Sequence, residues 1–267
     1  DEVIQKFLLI NDDKNIDGLH LVKRKYKSFM LQQLDEVEIK DDQEKYSYGL
    51  FKEDTEIIQL EDNERVWMSL LPNEIITMKR DSKNMKGNIL CAGLGLGYFP
   101  LLLASKDGVK KVSVIELDKR VIKVFNECIA PKFEYADKIE VIQGDAKRLI
   151  NKNSEKEYDY IYIDIWHDES DGIENYLYFK SREEEHQKYR YWIERSMLTF
   201  LRRCLINVIY EEAKGINVLS EDNYIDRLCN YLKKCYKNVK VENKEDLKKL
   251  ITLDEISKVI KKNIYTA

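Results

Sequence analysis

The sequence predicts an α/β fold: a central parallel sheet flanked by helices, a small antiparallel β-rich region before it and a helical third after it. Three observations predict this. Between residues 86 and 170, the apolar runs "NILCA", "VSVIE", "IEVIQ" and "YIYID" alternate with segments of helical periodicity. Such alternation marks parallel strands joined by right-handed crossovers, and unbroken apolar runs mark strands buried on both faces. Upstream, "YSYGLF", "EIIQL" and "RVWMSL" are short, rich in aromatic and branched residues, and parted by polar turns, as in an antiparallel meander. Downstream, apolar residues recur at steps of three and four, one face of a helix.

Three parts follow in order: 1–72, 73–170 and 171–267. In the first, Asp17 stands where a helix cap would. Leu19, Val22, Tyr26, Phe29, Met30, Leu34 and Val37 then lie on one helical face. The basic run Lys23-Arg24-Lys25-Tyr26-Lys27 reads as the solvated side of that helix. The meander comes next, with Lys52-Glu53-Asp54 as one of its turns, and Pro72-Asn73 opens a helix to about Met85.

In the second part "YFPLLLASK" reads as a helix stopped by Gly108, a glycine cap. Asp118 caps a second helix, whose stripe is Val121, Val124, Phe125, Cys128 and Ile129. The repetition makes this part a Rossmann-like core. The third part reads as helix from Arg182 to Gly215, with Ile193, Met197, Phe200, Leu201, Leu205, Val208 and Ile209 on one side. A helix over 221–236 follows, and then one opened by Thr252 and Glu255 in a capping-box pattern. No fifth sheet strand is evident there.

Composition narrows the function. The chain has 267 residues, 43% of them hydrophobic and 35% charged, enough for a sizeable core under a charged surface. A net charge of −4 speaks against non-specific nucleic-acid binding. Five cysteines without a Cys-x-x-Cys pattern suit reduced thiols in the cytoplasm. With three histidines and no His/Cys clustering, no zinc site is expected. No apolar run reaches the roughly 18 residues of a membrane span. The chain begins at Asp1 rather than Met, which leaves a removed leader open.

Chemistry gathers around "CAGLGLGYFP". Gly93, Gly95 and Gly97 follow the first predicted parallel strand and precede a helix. Bare backbone there lets a ligand approach closely. A dinucleotide site wants G-x-G-x-x-G, but the sixth position counted from Gly93 is Tyr98, which disfavours a nicotinamide cofactor. Glu116 ends the second strand, where an acid can accept both ribose hydroxyls. Asp145 lies just past the third, placed to accept from an adenine amine, and Asp164 ends the fourth. The turn after it, Asp164-Ile165-Trp166-His167-Asp168, offers His167 as a general base. Trp166 either stacks on a ligand ring or packs into the protein. His20 and His186 read as helix-surface residues.

"AGLGLG", "VIELD", "GDA" and "YIYID", in this order, resemble class I S-adenosylmethionine-dependent methyltransferases, and within that superfamily the polyamine aminopropyltransferase (spermidine synthase) branch. The resemblance covers about residues 86–168. It implies that Gly93, Gly95 and Gly97 pass the methionine portion of S-adenosylmethionine, that Glu116 holds the ribose and that Asp145 contacts adenine. It also implies that Asp164 lies beside the sulfonium or the amino group. Cys91 stands where many methyltransferases carry an acid; aminopropyltransferases lack that acid too. Their Asp-Ser-Ser-Asp turn is replaced here by Asp-Ile-Trp-His-Asp, and their Tyr-His-Glu segment is missing near "VWMS".

The expected activity is therefore transfer from S-adenosylmethionine, most simply methyl transfer to a small-molecule acceptor. Asp164, His167 and Asp168 are the candidates to orient or deprotonate that acceptor, with Trp67 and Glu74 facing it from a lid. Aminopropyl transfer is the alternative. A second alternative is a non-catalytic scaffold, a homodimer through its helices, which expects exposed apolar side chains near Tyr189, Trp192 and Phe200.

Overall fold

A computed structural model describes residues 2–10, 14–34, 36–63, 65–216 and 224–265. In chain order the first elements are helix α1 (Glu2–Leu8) and strands β1 (Lys14–Ile16), β2 (Leu19–Tyr26), β3 (Leu31–Gln33), β4 (Glu38–Lys40), β5 (Gln43–Lys45), β6 (Tyr48–Leu50), β7 (Thr55–Asp62) and β8 (Arg65–Ser69). Strand and helix then alternate: α2 (Pro72–Ser82), β9 (Gly87–Ala92), α3 (Tyr98–Ala104), β10 (Val109–Glu116), α4 (Lys119–Val124), β11 (Ile139–Gln143), α5 (Ala146–Leu149), α6 (Ser154–Glu157) and β12 (Tyr160–Ile163). The rest comprises α7 (Glu169–Lys180), β13 (Tyr189–Tyr191), α8 (Glu194–Lys214), α9 (Tyr224–Tyr236), α10 (Lys244–Leu250) and α11 (Leu253–Lys261). The chain divides into two compact units. One holds residues 1–35, 48–167 and 184–192, the other 36–47, 168–183 and 193–267.

The first unit is built on a five-stranded parallel sheet of order β11-β10-β9-β12-β13. Its central strand has no exposed face: Ile89, Leu90, Cys91 and Ala92 are all buried. Each large apolar side chain buried this way contributes about 1.5–3 kcal/mol. Phe99 of α3 stacks on Tyr162 of β12, ring centroids 3.8 Å apart. Asp118 caps α4 as expected, accepting from the Arg120 amide at 2.8 Å. A π-helical turn over Phe125–Ile129 continues that helix. The same unit carries the four-stranded antiparallel sheet β1-β2-β7-β8 and the small pair β3–β6.

Three local readings are corrected. Residues 19–26 form strand β2, not a helix. Asp17 (φ 53°) and Gly18 (φ 91°) make a two-residue hairpin turn after β1, the Asp-Gly turn whose positive φ values match strand twist. Leu19 and Leu21, two apart, are fully buried, and Leu21 pairs with Leu60 of β7. His20 and the basic run as far as Tyr26 therefore sit on a strand, with Lys27 just past its end; Arg24 binds Glu61, and Lys25 and Lys27 bind Asp54. Second, α3 ends at Ala104 with Ser105 as its cap. Gly108 instead lies in the turn just before β10, its carbonyl accepting from Gly87 N at 2.7 Å. Third, 189–191 is strand β13, paired with Ile161–Ile163 of β12, so the helical reading from Arg182 fails at its start. Alternating burial of Tyr189 and Tyr191 is a strand's period of two.

The second unit is helical, with the β4–β5 hairpin added. α8 carries Met197, Leu201, Cys204, Leu205 and Val208 on its buried side and packs against α7, α9 and α11. It ends at Gly215 in the left-handed region (φ 64°). α9 begins at Tyr224; residues 221–223 of the expected helix lie outside the described residues. Thr252 caps α11 through the Glu255 amide. No helix among the described residues is long and apolar enough to cross a membrane.

Asp168 caps α7 in a reciprocal box with Asp171: its Oδ1 accepts from Ser170 N at 2.7 Å, and Asp171 accepts from Asp168 N at 3.1 Å. Replacing a capping aspartate with alanine costs about 1 kcal/mol. Asp168→Ala is expected to lower the thermal midpoint by a few degrees, and Asp168→Asn to recover most of the loss.

Candidate functional site

β9 sits between β10 and β12, and the chain runs outward from it in both directions. The carboxyl ends of such strands flank a crevice, the usual ligand position in open α/β sheets. The bend Gly93–Gly97 leaves β9 at this point. Its shape is held by Gly93 N to Ile115 O (2.9 Å), Gly97 N to Leu94 O (2.7 Å) and Leu101 N to Gly97 O (3.0 Å). Gly93 has φ 95°, and a Cβ there would overlap the Asp164 carbonyl oxygen. A Cβ on Gly97 would overlap the Phe125 ring, and one on Gly95 the Met68 sulfur.

Glu116 is turned onto the bend. Its Oε2 accepts from Leu94 N at 3.0 Å and its Oε1 from Asp118 N at 2.8 Å. Burial raises its pKa, partly opposed by these amides. Asp145 follows β11 and caps α5, accepting from Lys147 N at 2.9 Å, with Arg148 Nε 3.6 Å away. Asp164 follows β12. Burial, and then the charge of Asp81 on α2, push its carboxyl up to about 8. The Asp164 charge in turn raises the pKa of Cys91, which burial already pushes up. Tyr162 is raised in the same way, by burial and then by Asp164 and Asp81. Buried Tyr162 and Trp166 leave their Oη and Nε1 without hydrogen-bond partners among the described residues.

The topology thus brings Gly93, Gly95, Gly97, Glu116, Asp145 and Asp164 to one edge of one sheet. His167 follows Asp164 in the first unit and is exposed. Asp168 belongs to the second unit, where it serves the α7 cap. Trp166 is buried, so the packing alternative describes it. Trp67 stacks on Arg120, 5.6 Å from ring to guanidinium carbon, and Glu74 accepts from Ser69 Oγ at 3.1 Å. The exposed face expected of a scaffold is not found at Tyr189 and Trp192. Both are buried, and Trp192 donates from Nε1 to Thr77 Oγ1 at 3.1 Å.

Sequence reasoning missed two residues. Met68 of β8 lies on the bend, its sulfur accepting from Leu96 N at 3.0 Å. "RVWMSL" identifies its strand but not its target. Asp81 of α2 acts electrostatically on Asp164, a pairing for which no spacing gives a signal.

The donor set suits an adenosyl ligand better than a dinucleotide. Leu94, Leu96, Gly93 and Gly97 already commit their amides, and only Gly95 N–H has no partner among the described residues. A pyrophosphate needs several converging amides, which the bend does not offer; the carboxylate of Glu116 suits a ribose diol in either kind of ligand. Among the described residues no three His, Cys, Asp or Glu side chains gather as metal ligands would.

No protein-family model matches the sequence, and no curated protein is significantly similar to it. Among solved structures the chain is similar to TYW2 of M. jannaschii in complex with AdoMet, at 18% identity and a TM-score of 0.32 over 45% of this chain and 52% of that one. It is similar to Trm5b of Pyrococcus abyssi at 15% and 0.32, over 64% and 46%. It is similar to MNMC2 of Aquifex aeolicus at 16% and 0.36, over 77% and 85%. The matches span about half the length of the first two proteins.

Proposed function

We propose that the chain is an S-adenosylmethionine-dependent transferase, most simply a methyltransferase acting on a small-molecule acceptor. One observation carries this reading: a glycine bend at the reversal point of a parallel sheet, with the Glu116 carboxylate bound to the bend and Asp164 at the end of the neighbouring strand. When bound, the cofactor supplies a methyl group already activated by a positive sulfonium.

The protein's own task is then positioning, which can be worth several kcal/mol, up to about 7–11. Glu116 Oε2 holds the Leu94 amide and Oε1 the Asp118 amide, and the carboxylate keeps lone-pair capacity for a ribose hydroxyl. Asp145 holds its cap through Oδ1 and faces Arg148 through Oδ2 at 3.6 Å; an adenine amine would share that oxygen, which keeps lone-pair capacity. Gly93, Gly95 and Gly97 give the chain its close approach. Asp164 favours a positive charge beside it when ionised and orients an acceptor hydroxyl or amine. His167 is the proposed proton acceptor where the acceptor must lose a proton.

Calorimetric titration with S-adenosylmethionine and S-adenosylhomocysteine tests the reading. Both should bind. Glu116→Ala should weaken both by about 30-fold, the loss of one charge-assisted hydrogen-bonding group at roughly 2 kcal/mol. Glu116→Gln, which keeps an acceptor for the Leu94 amide, should lose less. Undiminished affinity in Glu116→Ala removes the ribose assignment.

Aminopropyl transfer is the second reading. The proximity of Asp81 and Asp164 favours it, because two carboxylates suit a cationic amine. Turnover of decarboxylated S-adenosylmethionine with putrescine or spermidine would select it over methyl transfer.

A further inference from the structure

The β7–β8 hairpin reaches the same rim from the antiparallel sheet. Its register shifts between Leu60, opposite Met68, and Glu61, opposite Val66. Trp67 is thus the extra residue of a bulge, a feature that re-aims side chains. Trp67 turns to Arg120, which also binds Asp62 at 3.1 Å and Asp118 at 2.7 Å. Met68 turns to the glycine bend. Its sulfur sits where a Gly95 side chain would be and takes the Leu96 amide at 3.0 Å.

We propose that Met68 is a resident stopper of the bend: its thioether covers Gly95 and Leu96, and a cofactor gains the bend only as that side chain withdraws. The proposal rests on the bend being the cofactor site. Three physical points support it. A thioether is a weak acceptor, so a ligand oxygen takes the Leu96 amide in preference to it. Methionine has three rotatable bonds and repacks readily, so withdrawal needs no strand movement. The neighbouring Gly95 amide has no partner among the described residues, so displacement opens two adjacent donors together.

Two variants separate bulk from hydrogen bond. Met68→Ala removes both; Met68→Leu keeps the bulk and loses the acceptor. In ligand-free protein, hydrogen exchange at the Leu96 amide should accelerate in both, by about tenfold in Met68→Ala, in line with the loss of one hydrogen bond. S-adenosylhomocysteine should bind Met68→Ala about three- to tenfold more tightly than wild type, the worth of the contact it no longer displaces. Met68→Leu should stay near wild type. Unchanged Leu96 exchange in Met68→Ala overturns the stopper, as does equal or weaker affinity; in either case the cofactor reading stands if wild type binds. Absence of binding in both wild type and Met68→Ala overturns the cofactor reading and the stopper with it.

Discussion

Gly93→Ala is expected to unfold the carboxyl edge of the parallel sheet. Two costs add. A non-glycine residue at φ 95° is strained by about 1–3 kcal/mol, and forcing atoms into a filled space costs about 1–3 kcal/mol more. The clash is with a backbone oxygen, not a side-chain tip: the new Cβ meets the Asp164 carbonyl. That carbonyl cannot retreat easily, because Asp164 N donates to Ala92 O at 2.9 Å and β12 is paired with β9 up to Ile163 and Ala92. Gly18 supplies the control. It has φ 91° and nothing within 4 Å of its would-be Cβ, so Gly18→Ala carries the strain without the clash. Denaturant unfolding should show Gly93→Ala losing about 4 kcal/mol and Gly18→Ala about 1–2. Equal losses would mean that the crossing of β9 and β12 is looser than the structure has it.

Asp164→Asn should change how stability and ligand affinity depend on pH. The ordinary aspartate value is 3.8, and burial with the Asp81 charge moves Asp164 to about 8. Between those values the unfolded chain loses a proton that the folded chain keeps. Stability from this group is therefore complete below about pH 4 and declines as pH rises toward 8. A tenfold change in proton affinity is worth about 1.4 kcal/mol, so even half of this displacement amounts to roughly 3 kcal/mol. Asp164→Asn removes the ionisation, so its thermal midpoint should gain on wild type steadily from pH 4 to 8. A constant gap between the two would show that Asp164 is not forced to hold its proton.

The same group couples binding to pH. A cation placed beside Asp164 favours the ionised carboxylate, so S-adenosylmethionine should release close to one proton on binding at pH 7, and uncharged-sulfur S-adenosylhomocysteine fewer. Calorimetry in buffers of different ionisation heat measures the difference. Asp81, Cys91 and Tyr162 are the titratable groups in electrostatic contact with Asp164. Asp81→Asn should accordingly lower the pH at which the proton is released.

The parallel core was legible because its signals are local. Runs such as "VSVIE" are mostly apolar where both sheet faces bury them, Val112, Val114 and Ile115 around the small Ser113, and Asp118 caps a helix within two residues of itself. Residues 19–26 misled because their apolar spacing fits a helix in part, and because Asp17 suits a helix cap as well as it suits the first position of the Asp17-Gly18 turn it makes. β13 was hidden by brevity: "YRY" has three residues and is bracketed by charge, so no periodicity could compete with the long helix after it. Legible too was the placement of Gly93, Glu116, Asp145 and Asp164 at one edge, since parallel strands send all their carboxyl ends the same way. What each of those acids touches was not.

The sequence alone determined the alternation of strand and helix, the glycine bend and the row of acids, because each follows from patterns within a few residues of the chain. Tertiary structure decided that Met68 covers the bend and that Asp81 raises Asp164. It also decided that Glu116 is held by Leu94 and that Gly93 has no alternative. Those are contacts between segments far apart in the chain, fixed by strand order, a bulge and the packing of α2, and no one-dimensional spacing encodes them.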